Sequence, residues 1–299
     1  MYSRISGTGR YLPEHVLAMS DRVFRERTGI KQCHVAAEGE TTADLAEAAA
    51  RNALELAGVE PENVDLLIVG TTTPDIVFPN LGCLLQERLG IPDGPAFSLE
   101  ASSSGFTYGL SVADRYVVSG ESRYALVIGA ETLSRISGSA VGPDESATVF
   151  ADGAGAVLLE PAESPGLIAC RLGADTLTGG NGADQVLQIT GLADLDVNLN
   201  NMRNAVVSLL TEQNLKIGAV DWLVPHQSSL EIIERTADSL GISRDKTVLT
   251  LAEHGNTGAA SVPIALDIAV KDGRIRRGDL LLLETVGGGF TWGSALARF

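Results

Sequence analysis

The chain has 299 residues, 44% hydrophobic and 5% aromatic with 33 glycines, which suits one large α/β unit or two fused halves long enough to bury a core. A formal net charge of −16 excludes nucleic acid and anionic membrane surfaces as partners, and any acidic ligand would have to be met by a local basic patch. Three cysteines (Cys33, Cys83, Cys170) and four histidines, scattered along the chain, suit neither a disulfide framework nor a metal cage.

The N-terminus MYSRISGTGRYLPEH carries no apolar core of a signal segment, and no later stretch sustains the roughly 18 apolar residues of a membrane span. A cytoplasmic protein is expected. Residues 41–58, TTADLAEAAARNALELAG, place apolar side chains at helical spacing, with Thr41 and Thr42 as cap candidates and Gly58 as the stop. VDLLIVGTTTP (64–74) is a short apolar run ended by Gly70 and threonines, the pattern of a buried parallel strand. A helix over about 80–89 leads to the strand PAFSLEA, and the run Ser102–Ser104 then opens a helix over about 105–118. Gly120 and the strand YALVIGAET (124–132) follow, and FADGAGAVLLEP (150–161) is a turn into a further apolar strand.

The second part repeats this order. A helix over about 202–213 precedes VDWLVPHQSS (220–229), which matches VDLLIVGTTTP in its Val-Asp start and polar tip. Residues 255–286 parallel SGFTYGLSVADRYVVSGESRYALVIGAET, each running turn, helix, apolar strand and then Glu-Thr, at Glu131-Thr132 and Glu284-Thr285. The recurrence predicts an internally duplicated α/β fold with halves at 1–162 and 163–299. Chemistry is then expected where strand tips of both halves converge: Ser102–Ser104, His226-Gln227, His254-Gly255-Asn256 and Gly287-Gly288-Gly289.

Each tip has two readings. Ser103 at a helix N-terminus suits a nucleophile, because free N–H groups and the helix dipole favour an anion there; serines also cap helices. His226 in VPHQ is catalytic or structural, and Asn256 in HGNTG is a donor or a turn residue. His254 carries less weight than His226. The triple glycine is turn chemistry, or lets backbone amides approach a thioester oxygen. Their recurrence at equivalent tips favours the functional readings.

Eight blocks carry a resemblance: GTGRYLP, RTGI, VGTTTPD, GFTYGLSVADRYV, FADGAGA, WLVPHQ, HGNTGAASVP and GGGFTWGSALARF. In their order the chain closely resembles β-ketoacyl-acyl-carrier-protein synthase III, a thiolase-fold condensing enzyme. The resemblance implies a five-layered αβαβα thiolase-like fold, usually a homodimer, with a heterodimer as the variant. It implies no cofactor and no metal, with acyl-CoA and a malonyl-carrier thioester as substrates and an acyl carrier protein as partner. It places a Cys-His-Asn triad on Ser103, His226 and Asn256, so a hydroxyl stands where a cysteine is expected. Gly289 would lend a backbone N–H to an oxyanion, Arg27 would contact coenzyme A, and Phe150 and, across the dimer, Phe78 would line the acyl pocket.

Other positions depart from the family pattern. Val23 and Phe24 stand where a tryptophan usually precedes RTGI, and Asp144-Glu145 where Asp-Arg is common. Glu231 and Asp238 replace basic residues that would receive phosphates, and Val286 replaces a phenylalanine. A serine hydroxyl is harder to ionise than a thiol and needs a base. The expected function is acyl transfer or decarboxylative condensation in fatty-acid or polyketide-type biosynthesis through Ser103. The alternatives are an inactive partner subunit of a condensing enzyme, or a cysteine-to-serine change that traps substrate.

Overall fold

The protein is represented by a computed structural model that describes residues 1–136, 150–174, 192–287 and 291–299, apart from the side chains of Arg27, residues 192–198 and Asn201. In chain order the elements begin with β1 (Tyr2–Tyr11), β2 (Val16–Ala18), α1 (Arg22–Thr28), β3 (Gln32–His34), α2 (Thr42–Ala57) and β4 (Leu66–Gly70). There follow α3 (Leu81–Leu89), β5 (Ala96–Leu99), α4 (Gly105–Ser119), β6 (Ala125–Thr132), β7 (Asp152–Ala162) and β8 (Leu167–Ala174). The chain ends with α5 (Leu192–Glu212), β9 (Trp222–Pro225), α6 (Leu230–Leu240), α7 (Leu251–His254), α8 (Ser261–Lys271), β10 (Leu280–Val286) and β11 (Thr291–Arg298).

Local chemistry sets these boundaries. Thr41 and Asp44 form a reciprocal capping box at the start of α2, and Gly58 ends the helix in the left-handed region at φ 65°. The wholly buried LLIVG of β4 and ALVIGAET of β6 lie side by side in parallel, covered on both faces.

Two sheets result, ordered β1-β7-β6-β4-β5 and β8-β11-β10-β9. Each contains a parallel pair (β4 with β6, β9 with β10) followed by two antiparallel pairings, so this order and sense occur twice, and the first sheet adds β5 parallel to β4 at its edge. Between the sheets lie α4 and α8, whose Phe106, Leu110, Val262 and Leu266 pack with strand residues from both. Helices α2 and α3 cover the outer face of the first sheet, and α5 and α6 that of the second. This is the five-layered αβαβα arrangement.

Register corrects one detail of the repeat. Leu66 pairs with Ala125 and Trp222 with Leu281, so aligning the two Val-Asp starts makes Ile128 the counterpart of Glu284. The two Glu-Thr words are therefore three positions out of step, and Glu131 corresponds to Gly287. Helix α5 also begins ten residues before the expected 202, because its Asp- and Asn-rich first turns dilute the apolar signal on which the expectation rested.

Close approach of backbones seats the central helices. A Cβ on Gly70 would lie 2.5 Å from the Gly105 carbonyl carbon, and one on Gly129 would collide with the Ala259 carbonyl. Glycine at these points lets the starts of α4 and α8 settle directly on β4 and β6.

Candidate active site

Ser103 sits in the 3₁₀ turn Ser102–Ser104 that joins the edge strand β5 to α4. Ser102 has φ 49°, a left-handed conformation uncommon for a residue with a side chain, and its N–H donates to Glu100 Oε1 at 2.9 Å. The strained residue thus immediately precedes Ser103. No serine side chain caps α4, and Ser104 Oγ instead donates to the Thr291 carbonyl at 3.2 Å. The capping explanation of the run does not hold. Ser103 is half-buried, and among the described residues its hydroxyl has no hydrogen-bond partner.

His226 follows the last residue of β9, and its N–H donates to the Glu284 carbonyl at 2.7 Å, extending the parallel pairing with β10. The Gln227 carboxamide ties this tip to the start of α7: Nε2 donates to the Pro225 and Val248 carbonyls, and Oε1 accepts from Thr250 and Leu251 N–H. Asn256 lies two residues beyond α7, after Gly255 at φ 71°. Its main chain bridges to Phe150, and its carbonyl accepts the Ala151 N–H at 2.8 Å.

The two side chains meet. His226 Nε2 is 3.2 Å from Asn256 Oδ1, which also accepts the Gly258 N–H at 3.0 Å. Asn256 Oδ1 and the Val286 backbone both favour a ring proton on His226, and Asn256 Nδ2 is left without a protein acceptor among the described residues. Burial pushes the His226 pKa down to about 4, outweighing hydrogen bonds to Asn256 and the Val286 backbone that favour the cation. The imidazole is neutral at pH 7 and presents N–H rather than a strong base.

The Ser102–Ser104 turn packs against the turn Gly258–Ala260 and against β10 and β11. A Cβ on Gly287 would lie 3.2 Å from Ser102 Cβ. The structure thus gathers the tips carrying Ser103, His226 and Asn256, with Phe150 beside Asn256. Phe78 does not join them within one chain: it is 89% exposed at the tip of the loop after β4. Arg27 lies in α1 with its side chain outside the described part, and Gly289 and Asp144-Glu145 fall outside the described residues. His254 turns to His34, not to the His226 pair.

Two fully buried carboxyls near the site escaped the sequence reading as chemistry. Glu131 accepts from the Thr72 N–H and from the hydroxyls of Thr72 and Thr73, yet burial raises its pKa to about 7. Among the described residues Glu284 Oε1 has no partner, and burial raises its pKa to about 8. Their only sequence signal is an acid ending an apolar strand. Among the described residues no group of three or more His, Cys, Asp or Glu is placed to hold a metal ion, and no helix is long and apolar enough to cross a membrane.

Comparison with known proteins shows what this arrangement is similar to. The family described as 3-oxoacyl-[acyl-carrier-protein (ACP)] synthase III matches residues 97–176, and its C-terminal part matches residues 210–299. A β-ketoacyl-[acyl-carrier-protein] synthase III of Thiobacillus denitrificans is 46% identical over all of this chain and 99% of its own length. The chain belongs to the 3-oxoacyl-ACP synthase III family. The crystal structure of the Aquifex aeolicus synthase III superposes with a TM-score of 0.89 at 36% identity, covering 99% of this chain and 100% of that one. The priming β-ketosynthase of the R1128 polyketide pathway gives 0.85 at 30% identity, covering 100% and 96%. As a member of the synthase III family the chain is a condensing acyltransferase with the thiolase fold. Ser103 and Phe150 fall in the first matched segment; His226, Asn256 and Gly289 fall in the second.

Proposed function

We propose that the chain joins an acyl-CoA primer to a malonyl-carrier thioester, using Ser103 where the family resemblance expects cysteine. In the first half-reaction Ser103 Oγ attacks the thioester carbon. The Oγ–C bond forms, the C–S bond breaks, and the hydroxyl proton ends on the coenzyme A sulfur. In the second, the malonyl thioester loses CO₂ and the electron pair passes into an enolate. The carbanion attacks the acyl–Ser103 carbonyl, releases a β-ketoacyl carrier, and leaves an alkoxide that takes a proton from water.

The observation that carries this reading is the buried His226–Asn256 pair beside the serine turn. Asn256 Nδ2, held in place by the Oδ1 contacts to His226 and Gly258, is the donor proposed for an enolate oxygen, with the neutral His226 ring beside it. The N-terminus of α4 supports negative charge at Ser103, and Gly289 and the Ser103 N–H are proposed for the acyl oxyanion. A histidine this weakly basic activates a hydroxyl poorly, so slow acylation accompanies the serine. Phe150 is proposed to line the acyl pocket and Arg27 to meet coenzyme A.

A cytoplasmic homodimer belongs to this reading. The unpaired edge of β5 and the exposed Val77 (83%) and Phe78 (89%) support a second copy as the partner, with Phe78 reaching its acyl pocket. Whether the pathway is fatty-acid or polyketide biosynthesis depends on the primer. One observation favours an inactive partner subunit: Glu231 and Asp238 are exposed on α6 where the resemblance expects basic groups.

Intact-protein mass spectrometry with short, branched and aromatic acyl-CoAs tests the reading. One added acyl group, absent in Ser103→Ala, is the expected result and names the primer. If only Ser103→Cys is acylated, the hydroxyl is the defect. If neither reacts, the partner-subunit reading replaces this one.

A further inference from the structure

The hairpin of β2 and β3 docks on the segment that delivers Asn256. The Lys31 N–H donates to the Ala252 carbonyl at 2.8 Å, and Gln32 Nε2 to the Glu253 carbonyl at 3.3 Å. Cys33 Cβ lies 3.0 Å from the place a Gly255 Cβ would occupy, so the hairpin presses on the residue before Asn256. From the other side, Ala151 holds the Asn256 carbonyl, and the neighbouring Asp152 accepts the Ala36 N–H at 2.8 Å.

Within this frame two imidazoles are joined. His34 Nδ1 is 2.7 Å from the Pro13 carbonyl, and His34 Nε2 is 3.1 Å from His254 Nδ1. The Pro13 carbonyl only accepts, which places a proton on His34 Nδ1. His34 Nε2 and His254 Nδ1 then share the one hydrogen bond between the two rings. Burial first, then the nearby His34 and Arg10, lowers the His254 pKa to about 4, so that ring carries a single proton at pH 7. The relay Pro13–His34–His254 thus ties the hairpin to the end of α7, and Asn256 follows His254 by two residues.

We propose that His34 is a positioning residue for Asn256, acting through His254. The Lys31 backbone bond and the Gln32 side-chain bond already attach the hairpin, so the ring pair is not needed for attachment. What it adds is a defined orientation at the C-terminal end of α7, one peptide before the turn in which Gly255 (φ 71°, ψ −168°) aims Asn256. The inference rests on the proposed function in one respect: Asn256 serves the enolate, not the acylation of Ser103. The relay therefore bears on malonyl decarboxylation and leaves serine acylation alone.

The test uses the full-length protein with His34→Leu and His34→Gln. Glutamine offers an amide N–H to the Pro13 carbonyl and a second polar atom to His254, whereas leucine offers neither. CO₂ release from a malonyl thioester should fall about 10-fold in His34→Leu, the scale of an orienting residue behind a site. It should recover in His34→Gln, with acylation of Ser103 changed less than about twofold in both. Equal loss in both steps, or no loss in either, overturns the proposal. Should the wild type perform neither step, the functional reading fails by itself and nuclear magnetic resonance still decides this one. The Asn256 side-chain amide signals should shift in His34→Leu and return in His34→Gln; signals that stay put in both overturn it.

Discussion

Glu131 and Glu284 are two fully buried carboxyls at the ends of the central strands of the two sheets, and they are treated in opposite ways. Glu131 is surrounded by donors from Thr72 and Thr73, so its burial is largely repaid by hydrogen bonds. Glu284 lies opposite Ser294 on β11, and among the described residues both Glu284 Oε1 and Ser294 Oγ lack partners. The register counterpart of Glu284 in the first sheet is Ile128, flanked by Val69 and Ala156 and wholly apolar. The fold itself therefore asks for a hydrophobic residue here. A buried polar group costs stability when its hydrogen bonds are missing, not because it is polar.

The sharpest way to break the comparison is to copy the second sheet into the first. Ile128→Glu puts an unpaired carboxyl into the packing under α2 and should cost about 4 kcal/mol or prevent folding, as read by urea denaturation at pH 8. Glutamine at the two native acids should act with opposite signs. Glu131→Gln replaces one acceptor by a donor facing donors and should lose about 2 kcal/mol at pH 8. Glu284→Gln should gain stability at the same pH, because the wild type must there keep a charge buried or hold a proton against solution.

The pH dependence follows from the raised values. Both folded-state pKa values lie above the ordinary 4.5, so each acid contributes its full stability below about 4.5 and loses it as pH rises through about 7 for Glu131 and about 8 for Glu284. Thermal melts from pH 5 to 9 should show a fall in the wild type that flattens in Glu284→Gln, with each pKa unit corresponding to about 1.4 kcal/mol. A smaller effect is expected for Thr73→Val. The hydroxyl that donates to Glu131 at 2.6 Å is lost, at about 1 kcal/mol and more at pH 8 than at pH 5. The smallest is Ser294→Ala, within about 0.5 kcal/mol of the wild type in the same melts, since the hydroxyl removed had no partner.

Much of the architecture was legible because it is written in local chemistry. The Thr41 capping box, the apolar runs of β4 and β6 and the glycine stops all act over a few residues. His226 and Asn256 stood out because each follows an apolar element and sits in a distinctive motif. The false parallel between the Glu-Thr words shows the limit: strand register is set by pairing across the sheet, which a repeated dipeptide does not record. The His34–His254 bond joins residues 220 positions apart, and neither residue carries a local sign of the other. The left-handed Ser102 was equally silent, since nothing about serine announces that conformation.

The glycine contacts beneath α4 and α8 have a consequence for how this catalyst can change. Gly70 and Gly129 fix the path of the main chain by excluding side-chain atoms, so the location of residue 103 in space is decided by its neighbours' lack of bulk. Its own identity is left free. The nucleophile proposed at residue 103 is in that sense an exchangeable part on a rigid mount: hydroxyl, thiol or an unnatural group is expected to be accepted there while the mount stays unaltered. Diversity among descendants of such a scaffold should accumulate at position 103 and around the mouth, and scarcely at all in the glycines that hold it.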